Sequence, residues 1–295
     1  MAKHKGQSPI ITIVIVLLAL FGGFQLAKPV SRQISNNAPL SGADSLCVHY
    51  IDVGQGDSAL ITLPNGKTML IDAGDNGTER QLISYLKSVG ISQIDYLVGT
   101  HPHSDHIGGM QEILESFPVG KIFMPRVTHT SQTYIKLLET IQEKNLSVST
   151  ARQGKLVLDE GDVHAEFLAP CSDSYEDLNN YSAVLRLTYQ DTAFLFMGDA
   201  ETLAEREILS CASDVSADVL KVGHHGSSTS TSKQFLDAVS PDYAVISCGS
   251  DNSYGHPHRE TLESLEKAGC SVLRTDETGT ILIETDGNQI RVNRK

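Results

Sequence analysis

Short apolar segments alternate with amphipathic segments from Ser45 to the end of the chain. Apolar residues in short runs or at every second position predict strands, and apolar residues that recur every three or four positions predict helices. The predicted strands are Leu46–Asp52, Ser58–Leu63, Thr68–Asp72, Ile94–Val98, Leu156–Leu158, Ala165–Leu168, Ala183–Tyr189, Thr192–Phe196, Asp218–Val222, Tyr243–Ser247, Thr280–Glu284 and Gln289–Val292. The predicted helices are Thr78–Val89, which begins with a capping box of Thr78 and Gln81, Gly109–Ser116, Gln132–Lys144, Glu201–Leu209 and Pro257–Ala268. This order of elements predicts one α/β domain with two sheets.

An uncharged apolar segment, Ile10–Ala27, precedes this pattern. A helix of that length spans roughly 27 Å, which is close to the thickness of a bilayer's hydrocarbon core. Lys3 and Lys5 stand before it, so we expect the N-terminus to stay inside the cell and the rest of the chain to be exported. Residues 1–27 are predicted to be a membrane anchor. A cleaved signal peptide is disfavoured because Gln25-Leu26-Ala27 is a poor cleavage site, and a buried helix is disfavoured by the terminal position of the segment. If the segment is cleaved, the protein is secreted.

Residues 28–44 are polar and are predicted to be a linker, which leaves 45–295 as the folded domain. With 40% hydrophobic residues among 295, the chain can bury a sizeable core, which excludes a disordered chain, a fibre or a disulfide miniprotein. Its formal charge of −13 disfavours loose electrostatic binding of nucleic acid, so chemistry on phosphates would require a local positive charge such as a metal ion. The five cysteines are scattered and form no CxxC pair, which argues against a disulfide framework.

Seven of the eleven histidines fall into three short groups. The first group lies in Thr100–Gly109, THPHSDHIGG, directly after the predicted strand Ile94–Val98. The spacing HxHxDH puts three imidazoles and a carboxylate on one loop between a strand and a helix, and these side chains are suitable ligands for Zn²⁺, Mn²⁺ or Fe. The alternative is a polar loop that caps a helix, which four ligand-type side chains within six residues disfavour.

The segment HPHSDHIGG resembles the signature loop of the metallo-β-lactamase superfamily, and a wider set of motifs resembles the hydrolase domain of the ComEC competence proteins. The matching segments are Ile51–Ser58 (IDVGQGDS), Leu70–Gly74 (LIDAG), the histidine loop, Phe194–Glu201 (FLFMGDAE), Val219–Ser227 (VLKVGHHGS), Tyr254–His258 (YGHPH) and Leu273–Ile281 (LRTDETGTI). The resemblance implies that residues 45–295 form a metallo-β-lactamase-like αββα sandwich, with two mixed β-sheets and helices on the outer faces. We expect a stand-alone, singly anchored relative, to which DNA uptake is not carried over.

The resemblance also implies two divalent metal ions, Zn²⁺ or Mn²⁺. It assigns His101 and His103 to one ion, the pair Asp105 and His106 to the other, and Asp199 as the carboxylate between them. Without the resemblance, Asp199 would be better explained as the N-cap of the following helix. One of His224 and His225 is expected to complete the second site. The sequence favours His225 weakly, and which of the two is the ligand stays open.

One departure from the general superfamily pattern concerns the first metal ion. A third histidine ligand is expected between HxHxDH and Asp199, and neither His129 nor His164 stands in a convincing place. Asn180, in the segment NNYS, is the residue that matches the competence branch, so we expect its amide oxygen to be the ligand. An amide oxygen is a harder and weaker ligand than imidazole, which favours Mn²⁺ or incomplete occupancy at this position.

Further residues are candidates for supporting or catalytic roles. Asp72 is expected to hold a ligand histidine, and Asp57 lies in a turn near the site; each is otherwise an ordinary turn residue. His256 and the donors Ser227 and Ser228 are candidate phosphate ligands, although a helix cap and a mobile Ser/Thr linker are the alternatives. Asp105 is expected to orient the nucleophile. His258, or whichever of His224 and His225 is not a ligand, is expected to protonate the leaving group.

These residues predict a metal-dependent hydrolase, with a phosphodiesterase or DNA nuclease outside the cell as the first interpretation. A hydrolase of another ester (a phosphorylcholine ester, a nucleotide or a lactone) is the second, because basic grooves and aromatic platforms are not evident in the sequence. A non-catalytic binding module is the third. The expected partners are a phosphodiester substrate such as DNA and the membrane through residues 1–27, with no stable protein partner.

Overall fold

A computed structural model describes residues 45–293, all of which belong to one compact unit. The predicted anchor, 1–27, and the predicted linker, 28–44, lie outside the described residues. Within 45–293, no helix combines the length and the apolar character that a membrane span requires.

The strands of the first sheet come from both ends of the described chain. They are β1 Leu46–Tyr50, β2 Ala59–Thr62, β3 Thr68–Ile71, β4 Ile94–Val98, β5 Val119–Met124, β6 Val148–Thr150, β14 Ile281–Thr285 and β15 Ile290–Asn293. Their order across the sheet is β15-β14-β1-β2-β3-β4-β5-β6. β3 to β6 are parallel to one another and the other neighbours are antiparallel.

The strands of the second sheet come from the middle of the chain. They are β7 Leu156–Glu160, β8 Val163–Phe167, β9 Leu185–Tyr189, β10 Thr192–Phe196, β11 Val219–Lys221, β12 Tyr243–Ile246 and β13 Ser271–Arg274, in the order β13-β12-β11-β10-β9-β8-β7. β10 to β13 are parallel and β7 to β10 are antiparallel. Both sheets are therefore mixed.

Helices cover the outer face of each sheet. Beside the first sheet lie α1 Glu79–Ser88, α2 Ser104–Ile107, α3 Met110–Ser116 and α4 Gln132–Glu143, and beside the second lie α5 Thr202–Cys211, α6 Lys233–Val239 and α7 Arg259–Lys267, with a short α8 Thr275–Thr278. One apolar core fills the space between the sheets and two others lie under the helices. The layer order is helix, sheet, sheet, helix, which confirms the predicted αββα sandwich.

Some predicted elements need correction. The strands Ile94–Val98 and Thr192–Phe196 have the predicted bounds, but β5, β6, β13 and α6 were not predicted. The capping box is wrong, because the Thr78 hydroxyl donates to the Asp75 carbonyl and the Gln81 amide donates to the Asp52 carbonyl. The Ser/Thr run is not a mobile linker, because Ser230 and Thr231 are buried and α6 follows directly.

The sheet topology places the chemistry at one edge of the sandwich. Parallel strands present their carboxyl ends at a common edge, where open α/β sheets bind ligands. β3, β4, β10 and β11 each end just before a polar segment, and these segments begin at Asp72, Thr100, Asp199 and His224. Residues far apart in the chain are thus brought to one place.

Gly108, near the end of the histidine loop Thr100–Gly109, lets that loop pack against the backbone at Asn76. Gly108 has an ordinary φ of −55°, so its backbone conformation does not require glycine. A Cβ atom at Gly108 would lie 2.3 Å from the backbone nitrogen of Asn76 and 2.5 Å from the carbonyl oxygen of Ser104. The close approach of the backbone is therefore what selects glycine here.

We predict that Gly108→Ala lowers the free energy of unfolding by about 1–3 kcal/mol, because backbone atoms must move to admit the methyl group. Chemical denaturation of the full chain measures this change. Ser116→Ala, at an exposed position on α3, is the control and should change the free energy by less than about 0.5 kcal/mol. An alanine variant at position 108 as stable as the parent would contradict the prediction.

Candidate metal centre

The buried carboxylate of Asp199 lies at the centre of the histidine cluster. It follows β10, and its backbone N–H donates to the Ser182 hydroxyl at 3.0 Å. Its two oxygens face different imidazoles: Oδ1 is 3.1 Å from Nε2 of His106, and Oδ2 is 3.7 Å from Nε2 of His101. One carboxylate therefore contributes to two separate groups of potential ligands.

The first group consists of His101, His103 and Asp199. Nε2 of His101 lies 2.9 Å from Nδ1 of His103, so the two imidazoles of the HxH pair converge on one point. Nε2 of His224 lies on the same side of the carboxylate, 3.8 Å from Oδ2 of Asp199.

The second group consists of Asp105, His106, Asp199 and His225. Nε2 of His225 is 3.2 Å from Oδ2 of Asp105 and 3.6 Å from Oδ1 of Asp199. Of the two adjacent histidines, His225 is the one that lies within this group, which is the arrangement that the sequence favoured.

Asp72 holds the imidazole of His106 from behind. Its Oδ2 accepts from Nδ1 of His106 at 2.8 Å and from the Thr100 hydroxyl at 2.7 Å, and its Oδ1 accepts from the Thr100 N–H at 2.8 Å. A carboxylate bonded to Nδ1 fixes the ring so that Nε2 faces the cluster. Asp72 has a φ of 59°, a left-handed conformation that aspartate and asparagine tolerate better than most residues.

Asp57 and Lys221 support His225 in a comparable way. Nζ of Lys221 lies 2.8 Å from Oδ2 of Asp57, and both side chains are more than nine-tenths buried. Oδ1 of Asp57 lies 3.2 Å from Nδ1 of His225, which also donates to the Ser247 carbonyl at 3.0 Å. Removing either partner of this buried ion pair would leave an uncompensated charge, which typically costs about 3–5 kcal/mol.

The backbone at the second histidine motif is strained. His224 and His225 have φ values of 49° and 52°, so two consecutive non-glycine residues adopt the left-handed conformation. Each such residue costs of order 1–3 kcal/mol and persists only where the surroundings impose it, which is common at functional sites. Here the strained turn presents both imidazoles to the cluster.

The charges of the cluster favour cations. Burial alone would raise the pKa of Asp199, but the imidazoles of His106, His225 and His101 hold it well below its usual range. Burial alone would lower the pKa of His225, but the carboxylates of Asp199, Asp57 and Asp105 raise it to about 10. The buried carboxylates therefore require positive charge nearby, and a metal ion that binds here would displace these protons.

The donor set fits a divalent metal ion. Nε2 of His106 and Oδ1 of Asp199 are fully buried and lie 3.1 Å apart, yet neither atom has a hydrogen-bond partner. Buried polar atoms without partners are rare and call for an explanation, and ligation of a cation supplies one. Imidazole and carboxylate ligands with supporting carboxylates behind them are typical of Zn²⁺, Mn²⁺ and Fe sites.

A cavity of about 270 Å³ opens onto this cluster. Besides residues of the two groups, it is lined by Gln55, Ser104, Asn179, His224, Tyr254 and His256. Burial and the neighbouring imidazoles of His225, His224 and His258 lower the pKa of His256 to about 4. A small polar substrate would therefore meet the cluster together with two further imidazoles.

The structure does not support Asn180 as a ligand. Its amide oxygen accepts from the backbone N–H groups of Glu201 and Ala204, both at 3.3 Å, so it caps the start of α5. Asn179, one residue earlier, lines the cavity instead, and its Oδ1 is buried without a hydrogen-bond partner. The 3₁₀ turn Leu178–Tyr181 determines which of the two neighbouring amides faces the site.

Three other predicted residues do not line the cavity. Nδ1 of His258 accepts from the Ser228 N–H at 2.9 Å, and its Nε2 lies 3.4 Å from the Tyr254 carbonyl oxygen. The Ser227 hydroxyl is used within its own loop, where it contacts Thr229. His258 and Ser228 thus fasten the loop to the start of α7, whereas His256 lines the cavity. Gln55, Asn179 and Lys221 were not predicted at the site although each stands in a quoted motif, because a motif does not show which of its polar side chains face the cluster.

The chain belongs to the metallo-β-lactamase superfamily, which it matches over residues 51–250. It is similar to ComE operon protein 3 of Bacillus subtilis, with 34% identity over 79% of this chain and 32% of that protein. It is also similar to competence protein ComA of Neisseria gonorrhoeae, with 32% identity over 78% of this chain and 31% of that protein. Recombination protein 2 of Haemophilus influenzae is similar as well, with 29% identity over 84% of this chain and 30% of that protein. The chain thus spans about a third of the length of these relatives.

Solved structures show the same fold at low sequence identity. The diiron β-hydroxylase CmlA of Streptomyces venezuelae superposes with a TM-score of 0.54 and 14% identity, and the match covers 85% of this chain and 54% of the CmlA chain. The metallo hydrolase Igni18 of Ignicoccus hospitalis matches 81% of this chain and 98% of its own, with a TM-score of 0.50 and 17% identity. These likenesses concern the fold alone.

We predict that Asp72→Asn lowers the affinity for Mn²⁺ or Zn²⁺ by about 10- to 100-fold, because a neutral amide holds the His106 ring less firmly than a carboxylate does. Asparagine tolerates the left-handed backbone at this position, so the fold should persist. Calorimetric titration of the metal-free full chain measures the change. Asp159→Asn, at an exposed site on β7, is the matched control. Equal affinities for both variants and the parent would contradict the prediction.

Proposed function

We propose that the protein is a metal-dependent phosphodiesterase that cleaves DNA. The observation that supports this most directly is the position of Asp199, whose two oxygens face two different groups of ligand-type side chains. Enzymes that hydrolyse phosphodiesters often use two metal ions, one for the attacking oxygen and one for the leaving oxygen. A shared carboxylate is a suitable way to hold such a pair.

In this proposal His101, His103 and Asp199 hold one ion, and Asp105, His106, Asp199 and His225 hold the other. Bound divalent ions act as Lewis acids, which lower the pKa of water and withdraw charge from phosphoryl oxygens. The chain's own groups position the reactants. Asp105 is 24% exposed and can accept a hydrogen bond from the attacking water. Asp72 and Asp57 keep the imidazoles of His106 and His225 in place.

His224 is the proposed proton donor to the leaving oxygen. It lies in the cavity outside both ligand groups, with its Nδ1 3.1 Å from the Thr229 hydroxyl and 3.4 Å from Oε1 of Glu201. Glu201 is therefore placed to accept a hydrogen bond from Nδ1 of this ring, which leaves Nε2 facing the cluster. The ring of His256 lies 5.4 Å from that of His224 and offers a second imidazole to the departing group.

Two further observations favour a nucleic-acid substrate. Tyr254 is 65% exposed at the cavity, and its ring stacks on His256 at a centroid distance of 5.6 Å, which leaves an aromatic face for a base. The similar proteins are named for competence and for recombination, and recombination is a process that acts on DNA. Because the chain spans about a third of their length, their activities are transferred here only as part of the proposal.

The second candidate is a hydrolase of a small ester such as a phosphorylcholine ester, a nucleotide or a lactone. The modest cavity of about 270 Å³ and the formal charge of −13 favour it. A non-catalytic binding module would have the same ligand groups without turnover. The experiment below distinguishes the three.

The full chain should cleave labelled single- or double-stranded DNA with Mn²⁺ or Zn²⁺, and a chelator should abolish the cleavage. Asp105→Asn should lower kcat/KM by at least about 100-fold, because the group that orients the attacking water is lost. Asp159→Asn, an exposed carboxylate on β7, is the control and should behave as the parent does.

A small chromogenic phosphodiester is tested alongside. If it alone is hydrolysed, the DNA proposal is wrong and the small-ester hydrolase replaces it. If no substrate reacts although metal binds, the chain is a binding module. Cleavage that survives both the chelator and Asp105→Asn would show that the candidate centre is not the active site.

A further inference from the structure

The described residues form a second, larger cavity of about 760 Å³ that the proposed reaction does not use. It is lined by the segments that follow β5 and β6 and by the segment between β8 and β9. Two arginines, Arg126 and Arg152, and two tyrosines, Tyr175 and Tyr181, are its most distinctive side chains.

This cavity borders the metal centre through two shared walls. In the turn Leu178–Tyr181, Leu178 and Tyr181 line the large cavity while Asn179 lines the metal cavity. Val127 and Thr128 also line the large cavity, and the ring of the next residue, His129, lies 6.4 Å from the ring of His103. The large cavity therefore lies beside the metal centre, on its His103 side.

The charge at this cavity is opposite to that of the chain as a whole. Arg126 and Arg152 are both exposed, and within 45–293 neither guanidinium forms an ion pair. Asp173 is the one carboxylate among the lining residues. Two guanidinium groups without an ion pair at one cavity, in a protein with a formal charge of −13, indicate a site for an anion.

The two tyrosines offer ring surface rather than hydroxyl groups. The Tyr175 hydroxyl donates to Glu207 and accepts from the N–H groups of Cys171 and Ser172, and the Tyr181 hydroxyl accepts from the Tyr175 N–H at 3.0 Å. The two rings are half-buried and lie edge to face, 5.1 Å apart. These hydrogen bonds fix both rings, so an entering ligand meets rigid aromatic carbon.

We propose that this cavity binds the part of a single-stranded polynucleotide that flanks the scissile phosphate. The inference rests on the proposed function and specifies its substrate as a strand rather than a small ester. Arg126 and Arg152 hold backbone phosphates, and Tyr175 and Tyr181 contact bases. Guanidinium groups combined with aromatic faces are the general means by which proteins bind single strands without sequence preference.

The test compares a dinucleotide with a deoxydodecamer as substrates of the metal-loaded full chain. The parent should prefer the dodecamer in kcat/KM, because only the longer substrate reaches the large cavity. Arg126→Gln combined with Arg152→Gln should reduce that preference at least tenfold. Arg80→Gln combined with Lys144→Gln removes the same charge from exposed positions outside both cavities and should reduce it less than twofold.

Binding without turnover provides a second measurement. In the presence of a chelator, the fluorescence anisotropy of a labelled dodecamer should show that the variant with both Arg126→Gln and Arg152→Gln binds the strand more weakly than the parent does. Its plot of log affinity against log salt concentration should be less steep by about 1.4, since each lost contact to a single strand contributes about 0.7. A dodecamer with abasic positions should bind the parent several-fold more weakly than the intact strand, because it cannot stack.

Equal length preference or equal salt dependence in the arginine variant and the charge-matched control would overturn the proposal, as would tighter binding of duplex than of single strand. Equal binding of abasic and intact strands would remove the role assigned to the tyrosines. Failure here is distinct from failure of the proposed function, which is decided by whether the parent cleaves DNA in a metal-dependent reaction. A parent that cleaves DNA but shows no preference for the dodecamer over the dinucleotide keeps the function and loses this inference.

Discussion

A carboxylate buried at the end of a parallel strand requires positive charge close to it, and Asp199 is surrounded by imidazoles on both sides. The two oxygens of Asp199 face different imidazoles, and both groups of ligand-type side chains include this residue. Several residues farther out serve the same requirement. Asp72 orients His106, and the pair of Lys221 and Asp57 orients His225, so that the ring nitrogens face the carboxylate.

Several features that assemble this cluster lower the stability of the fold. Two consecutive histidines adopt a left-handed backbone, an ion pair is buried behind one of them, and glycine is required where the histidine loop meets its neighbour. Each feature opposes stability unless the surroundings compensate for it. The three apolar cores of the αββα sandwich are the source of that compensation, and the cluster lies at the edge where the parallel strands of both sheets end.

The alternation of apolar and amphipathic segments predicted one α/β domain with two sheets, and HxHxDH predicted a metal-binding loop. The αββα class and the assignment of Asp199 came from the resemblance to the metallo-β-lactamase superfamily. HxHxDH specifies four side chains within six residues, and the apolar runs before Asp199 and His224 mark where strands end. Spacing carries no information about side-chain direction inside an irregular turn, which is why Asn180 was expected at the site and Asn179 is found there. The strand β5 was missed because Gly120 and Lys121 interrupt its apolar pattern. The juxtaposition of Arg126 and Arg152 depends on the neighbouring parallel strands β5 and β6, which a reading of local sequence did not identify.

We propose that Asp199 lies between two cation sites, and anomalous diffraction from crystals of the full chain grown with Mn²⁺ is the first measurement to make. Two anomalous peaks are expected, one against each carboxylate oxygen of Asp199, with His101 and His103 at one peak and His106 and His225 at the other. Asp199→Asn crystals should lose at least one of the two peaks. A single peak away from Asp199, or no peak at a saturating Mn²⁺ concentration, would show that Asp199 does not lie between two cations.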